Sequence, residues 1–246
     1  MTSTARRTDI PRIIGHRGAV GHAPENTVAG FRKAKELGCS WVEFDCMLTR
    51  DEVVILHHDD DLDRTTNGTG LVSETNLAAV RRLDAGSWFS SDFAKVPVPT
   101  FDEAVSALAQ LGLGGNVEIK PATGYDRITG RIVAERTAEL WPATLPPPVM
   151  SSFSLAALEE AQKAAPQLDR AILWWEIPDD WQAHQDRLEA SAVHVSVKKL
   201  TEARAAEFRN AGIPFRVYTV NDPSDAARLF DWGCEAIFTD YPDRFA

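Results

Sequence analysis

Residues 193–239, VHVSVKKLTEARAAEFRNAGIPFRVYTVNDPSDAARLFDWGCEAIFT, decide the fold. Three short runs rich in β-branched and aromatic residues (193–197, 215–220 and 236–239) read as strands. Two stretches of helical spacing, 201–211 and 225–232, lie between them, and Gly233 closes the second. Strand, helix and strand in strict alternation is the signature of parallel β/α construction.

Working outward, the same alternation covers most of the chain. Strands are expected at 12–15, 41–47, 116–120, 149–151 and 170–175, with one extra extended piece at 53–57. Helices are expected at 27–37, 101–111, 125–140, 155–165 and 181–189. This makes roughly eight β/α units in 246 residues, the length at which right-handed repetition closes into a TIM (β/α)8 barrel. A doubly wound open sheet is the alternative, but no Gly-x-Gly-x-x-Gly follows the first strand. The chain therefore reads as one barrel domain over residues 1–246. Residues 59–99 break its rhythm, with turn chemistry at 66–70, a short helical stretch near 77–83 and the aromatics Trp88 and Phe89. They are expected to form a small, lid-like insertion between early β/α units.

Composition narrows the function classes. With 44% hydrophobic and 25% charged residues the chain is neither disordered nor a disulfide scaffold. Its 36 acidic and 26 basic side chains give a formal charge of −10, which argues against nucleic acid and anionic membrane surfaces as partners. Three cysteines, Cys39, Cys46 and Cys234, contain no Cys-x-x-Cys pair and read as free thiols in a reducing compartment. Residues 1–12 carry two arginines without a following apolar core, so no secretory signal and no membrane span are expected. The expectation is a soluble cytoplasmic protein whose oligomeric state is left open.

Barrel enzymes carry their chemistry at the C-terminal ends of strands. The polar residues expected there are His16, Arg17, Glu43, Asp45, His58, Asp59, Glu118, Lys120, Asn221 and Asp240. Glu43 and Asp45 are two apart on a strand, so both face the same way, into the barrel. Glu118 and Lys120 repeat that spacing. Carboxylates gathered in a barrel interior repel one another and lose hydration, which a divalent cation relieves; a structural ion pair with a basic side chain is the competing reading. Three carboxylates without matching histidine or thiol ligands favour magnesium or calcium over zinc. Arg17 and Lys120 make a cationic pocket suited to a phosphate. His16 and His58 are then placed for general acid and base work. His57, on the opposite face from His58, reads as a hydrogen-bonded loop residue. Trp174 and Trp175 alternate faces: one is expected to pack under helices, and for the other core filling is the default reading, with a pocket lining beside Glu176 as the alternative; His22, His184 and His194 show no partner pattern.

The strings that carry these residues resemble the glycerophosphodiester phosphodiesterase family: GHRG at 15–18 with APENT at 23–27, EFD at 43–45, HD at 58–59 with LDRTTNG at 62–68, and NVEIKP at 116–121. The later strings SSF at 151–153, YTVN at 218–221 and TD at 239–240 resemble its final strands, and the closest likeness is to the cytoplasmic bacterial enzyme. The resemblance implies a TIM barrel with a small insertion and a metal site of Glu43, Asp45 and Glu118. It implies acid/base catalysis by His16 and His58 and phosphate binding by Arg17 and Lys120; the resemblance leaves the order of the two histidines open, and His58 is preferred here as the acid. It implies, finally, metal-dependent hydrolysis of a small glycerophosphodiester, such as glycerophosphocholine or glycerophosphoethanolamine, to glycerol 3-phosphate and an alcohol. Many members carry Trp where this chain has Tyr218. Two alternatives stand beside this reading. One is a lysophospholipase D-type enzyme with Trp88, Phe89 and Phe93 as an apolar mouth. The other is a phosphoester-binding barrel without turnover.

Overall fold

The computed structural model describes residues 9–245; the reading of the extreme N-terminus lies outside them. In chain order the elements are β1 (Ile13–Gly15), α1 (Val28–Glu36), β2 (Trp41–Leu48), β3 (Val54–Leu56), α2 (Leu77–Val80), α3 (Phe101–Leu111), β4 (Gly114–Ile119) and α4 (Asp126–Leu140). There follow β5 (Val149–Ser152), α5 (Leu155–Ala164), β6 (Asp169–Trp174), α6 (Trp181–Leu188), β7 (Ala192–Ser196), α7 (Glu202–Asn210), β8 (Phe215–Tyr218), α8 (Pro223–Asp231) and β9 (Ala236–Thr239).

Eight strands (β1, β2 and β4 to β9) pair in parallel, and β1 bonds both β9 and β2, so the sheet closes on itself. This is the TIM barrel, and the open doubly wound sheet is excluded by the closure. The extra extended piece is β3, which pairs antiparallel to the end of β2, Cys46 opposite Leu56, outside the parallel ring.

Local chemistry sets the helix ends. Thr27, Ser154 and Thr201 each accept a backbone N–H in the first turn of α1, α5 and α7. Thr100 and Glu103 form a reciprocal capping box on α3, which ends at Gly112 in the left-handed conformation (φ 64°). Asp222 caps α8 with Pro223 in its first turn. β4 begins at Gly114, two residues before the expected start. Gly114 pairs with Trp41, whose indole covers the position a Cβ would take, 2.3 Å from the nearest ring atom. Bare backbone is required there, so a strand residue carries a loop-like identity.

The main core lies between barrel and helices, with Phe31, Phe44, Phe101, Val117, Met150 and Ile172 on one side and Phe208, Phe215, Val217 and Ile237 on the other. Inside the ring, Ile14, Trp41, Val149, Ala171, Ala192, Ala236 and Phe238 form an apolar plug. Residues 59–99 fold against the outer end of β2 and β3 through Leu62, Val72, Val80, Ala85 and Val98, which pack on Met47 and Ile55. Trp88, Phe89 and Phe93 stack edge-on against one another within this segment, at centroid distances of 5.7 and 5.5 Å.

Candidate active site

The strand register brings the three acids together. Asp45 on β2 pairs with Glu118 on β4, and Glu43 with Asn116, so all three carboxylates rise from neighbouring strands on the inward face. One oxygen from each lies within 4.8 Å of the others, and all three side chains are buried. Burial, and then the charges of Asp45 and Glu118, hold Glu43 well above the ordinary carboxylate range. Burial and the charge of Asp45 push Glu118 up to about 8. For Asp45 burial also opposes ionisation, but Arg17, His58 and Lys120 outweigh it and its pKa falls. Glu43 Oε2 accepts the Arg17 backbone N–H at 2.9 Å, while Oε1 is buried with no hydrogen-bond partner. A buried carboxyl oxygen that no donor satisfies, in a set of oxygen donors, fits a hard divalent cation, whose charge would favour the ionised form.

The competing ion-pair reading holds for one acid of the three. Arg17 Nε lies 3.2 Å from Asp45 Oδ2 without the alignment of a hydrogen bond. Among the described residues neither Glu43 nor Glu118 has a lysine or arginine within ion-pair distance. Arg17 itself is placed by the loop after β1. Its φ of 49° is in the left-handed region, unusual for a residue other than glycine, and its amide is spent on Glu43. A Cβ on Gly15 would meet the Gly18 carbonyl oxygen at 2.1 Å, so glycine at 15 lets this loop fold back on itself. Asn26, also left-handed (φ 55°), clamps Asp45: its Nδ2 donates to Oδ2 at 2.8 Å and its Oδ1 accepts the Asp45 N–H at 3.0 Å.

Each histidine is oriented by a carboxylate at its Nδ1. His16 Nδ1 lies 2.6 Å from Asp240 Oδ1, whose Oδ2 accepts from Asn221 Nδ2 at 2.7 Å. His16 Nε2 is left facing the acids, 3.9 Å from Glu43 Oε2. His58 Nδ1 lies 2.6 Å from Asp59 Oδ1, and its Nε2 is 2.7 Å from Lys120 Nζ. Burial lowers the His58 pKa; Asp45 and Asp59 oppose that shift, and Arg17 and Lys120 add to it. Arg64, from the 59–99 segment, holds Asp59 with one edge and forks onto both oxygens of Glu25 with the other, while Glu25 Oε1 also takes Arg17 Nη1 at 2.8 Å. Arg64 thereby depresses Asp59 far below its ordinary pKa.

All seven expected site residues thus lie in one neighbourhood, and six of them (His16, Arg17, Glu43, His58, Glu118 and Lys120) line a single cleft of about 350 Å³, with Asp45 buried beneath. Sequence reasoning placed Asn221 and Asp240 at strand ends without a role. It missed the roles of Asn26, Glu25 and Arg64; the strings PEN and DRTTNG contained them, but no periodicity points to their partners. The cleft's exposed aromatics also differ from expectation. They are Phe153 and Trp175, 42% and 47% exposed, and Trp175 is not core filling. No residue of 59–99 lines the cleft, so Trp88, Phe89 and Phe93 do not form its mouth.

Residues 16–244 match the family model of the glycerophosphoryl diester phosphodiesterase family. The chain is 31% identical to a glycerophosphodiester phosphodiesterase of Bacillus subtilis, covering 94% of this chain and 84% of that protein. It is 30% identical to a glycerophosphodiester phosphodiesterase of Caldanaerobacter subterraneus, covering 94% of each. Among solved structures it is similar to an Oleispira antarctica phosphodiesterase in complex with the product sn-glycerol-3-phosphate. The TM-score is 0.92 and the identity 36%, over 96% of this chain and 95% of that one.

Proposed function

The chain belongs to the glycerophosphoryl diester phosphodiesterase family and is a phosphodiesterase of that class; on that premise we propose that it hydrolyses a small glycerophosphodiester to glycerol 3-phosphate and an alcohol through two histidines and one divalent cation. The observation that carries the proposal is the meeting of three buried carboxylates with two carboxylate-oriented imidazoles in one cleft.

Glu43, Asp45 and Glu118 would hold the cation, magnesium or calcium, since all three offer oxygen and Glu43 Oε1 lacks any donor. Such an ion, when bound, supplies Lewis-acid polarisation of the phosphate. Arg17 and Lys120 bind the phosphate and share the charge that builds on phosphorus. Asn26 and the Arg17 amide fix two of the acids, so the site is organised before substrate enters. His16 keeps Nε2 in the cleft because Asp240 occupies Nδ1. His58 starts uncharged, since burial and its cationic neighbours lower its pKa, and it accepts a hydrogen bond at Nε2 from Lys120. When Lys120 turns to the phosphate it leaves His58 Nε2 free, and this uncharged imidazole takes the first proton, from the attacking water or glycerol hydroxyl, while His16 delivers one to the departing alkoxide. This order reverses the preference for His58 as the acid.

The same proposal treats residues 59–99 as an insertion that braces the site through Arg64 rather than through its aromatics. It also places the enzyme in the cytoplasm, on the strength of its three buried, unpaired thiols. Among the described residues no helix is long and apolar enough to cross a membrane.

The test is alcohol release from soluble diesters by the chelated protein, with magnesium and calcium restored separately, beside His16→Ala and His58→Ala. Loss on chelation, recovery with one of the ions, and a fall of about 10²- to 10⁴-fold in each variant are expected. Near wild-type turnover in both variants refutes the proton-transfer roles. The exposed aromatics Phe153 and Trp175 favour one second reading, an acylated substrate, which faster turnover of a lysophospholipid than of its deacylated analogue would establish.

A further inference from the structure

Beyond the phosphate pocket the cleft opens between the ends of β5 to β8, where Phe153, Trp175, Lys198 and Tyr218 line it. The Tyr218 hydroxyl donates to the Trp174 carbonyl at 2.8 Å, so Tyr218 offers the cleft its ring and not a free hydroxyl. That ring meets Phe153 edge-on at 5.8 Å. Lys198 is exposed, and its Nζ stands 5.9 Å from the Trp175 ring centroid, over the face of the indole. The carboxylate next to Trp175, Glu176, is engaged by Lys199 at 2.6 Å. Among the described residues Lys198 has no carboxylate within ion-pair distance. The outer cleft is therefore an aromatic wall with one uncompensated cation, in a protein whose net charge is −10.

An aromatic wall alone would favour a quaternary or primary ammonium, because ring faces attract cations. Here the face of Trp175 is already taken by an ammonium. A second one entering the same space meets like-charge repulsion, which at a separation of about 6 Å is worth between about threefold in binding at the dielectric of water and about 100-fold at that near a protein surface. An uncharged polyhydroxy alcohol has the opposite fit: its C–H faces lie on Trp175 and Phe153, and its hydroxyl oxygens accept from the Lys198 ammonium. We propose that Trp175 and Lys198 form the subsite for the alcohol esterified to glycerophosphate, and that this subsite selects uncharged polyols over amino-alcohols. The inference rests on the phosphodiesterase reading and adds the class of the second alcohol.

The experiment compares kcat/KM for glycerophosphoglycerol and glycerophosphocholine in wild type, Lys198→Gln and Lys198→Glu, at low and high salt, with thermal melts of each variant. Lys198 is exposed and caps no element, so all three proteins are expected to melt together. The wild type is expected to favour the polyol diester by about tenfold, Lys198→Gln to bring the ratio near unity, and Lys198→Glu to invert it, with salt compressing every ratio. A wild-type preference for glycerophosphocholine overturns the inference, as does an unchanged ratio in Lys198→Glu with turnover intact. Absence of turnover on both diesters overturns the phosphodiesterase reading and the inference with it.

Discussion

Replacing Asp240 by asparagine is expected to silence the enzyme while leaving its fold in place, for a reason that can be worked from four hydrogen bonds. Asp240 Oδ1 takes His16 Nδ1 at 2.6 Å and Oδ2 accepts from Asn221 Nδ2 at 2.7 Å. Asn221 cannot turn over, because its Oδ1 already accepts from the Asp240 backbone N–H at 2.9 Å and from Thr239 Oγ1 at 3.0 Å. In Asp240→Asn the new amide must therefore show its oxygen to Asn221 and its NH2 to His16. His16 Nδ1 becomes an acceptor, and the ring proton moves to Nε2, the atom that faces the carboxylates in the cleft. With the amide NH2 aimed at Nδ1 the imidazolium cannot form, and a neutral imidazole gives up its Nε2 proton poorly, so the acid role of His16 is lost. The corresponding aspartate-to-asparagine change in a serine protease triad costs about 10⁴-fold, and a single general acid/base group is worth about 10²- to 10⁴-fold. We expect kcat to fall about 10³- to 10⁴-fold, KM to change little, and the thermal midpoint to hold, since the substitution conserves volume. Asp240→Ala supplies the sharper comparison. It removes the orienting bond but leaves Nδ1 free to hold a proton, so His16 can still form the imidazolium that donates from Nε2, and the alanine variant should be at least as active as the asparagine one. Steady-state assay of both with a soluble diester decides the matter. An asparagine variant within tenfold of wild type, or one far more active than alanine, refutes the tautomer argument.

Two further outcomes follow from the same geometry. Glu118, pushed up to about 8 by burial and Asp45, holds a proton in the folded state that the unfolded chain has already lost above its ordinary value of 4.5. In chelator, stability should therefore decline as pH rises between those two values, by up to about 1.4 kcal/mol or about 3–5 °C per pH unit, and saturating magnesium or calcium should flatten the decline; melts that rise with pH in chelator would contradict the burial of these acids. Arg64→Ala removes four hydrogen bonds to Asp59 and Glu25 and so loosens both His58 and Arg17. A fall of about 10²-fold in kcat/KM is expected, with Arg64→Lys recovering only part because it keeps the charge and loses the fork; full activity in Arg64→Ala, measured with the same diester, would show that the 59–99 segment does not brace the site.

What was legible in the chain is whatever depends on near neighbours. Period-two and period-3.6 patterns reveal strands and helices because side chains are sorted to faces over a few residues, and Gly233, left-handed at φ 87°, marks a helix end within one turn. The spacing of Glu43 with Asp45, and of Glu118 with Lys120, shows two strand faces that carry charge inward, and strand ends supply His16, Arg17 and His58. What only tertiary structure decided is every relation between groups far apart in sequence. His16 finds Asp240 across 224 residues, because β1 pairs with β9 when the ring closes. Asp45 meets Glu118 through the parallel register of β2 and β4, and Arg64 reaches Glu25 because the 59–99 segment folds back over the end of β2 and β3. Trp174 and Trp175 alternate faces in the linear pattern, but only the closed ring decides that Trp175 lines the cleft while Trp174 packs against the core. A linear pattern carries each residue's preferred face. Closing the barrel chooses which faces meet, and with them which oxygens share a cation and which carboxylate holds each imidazole.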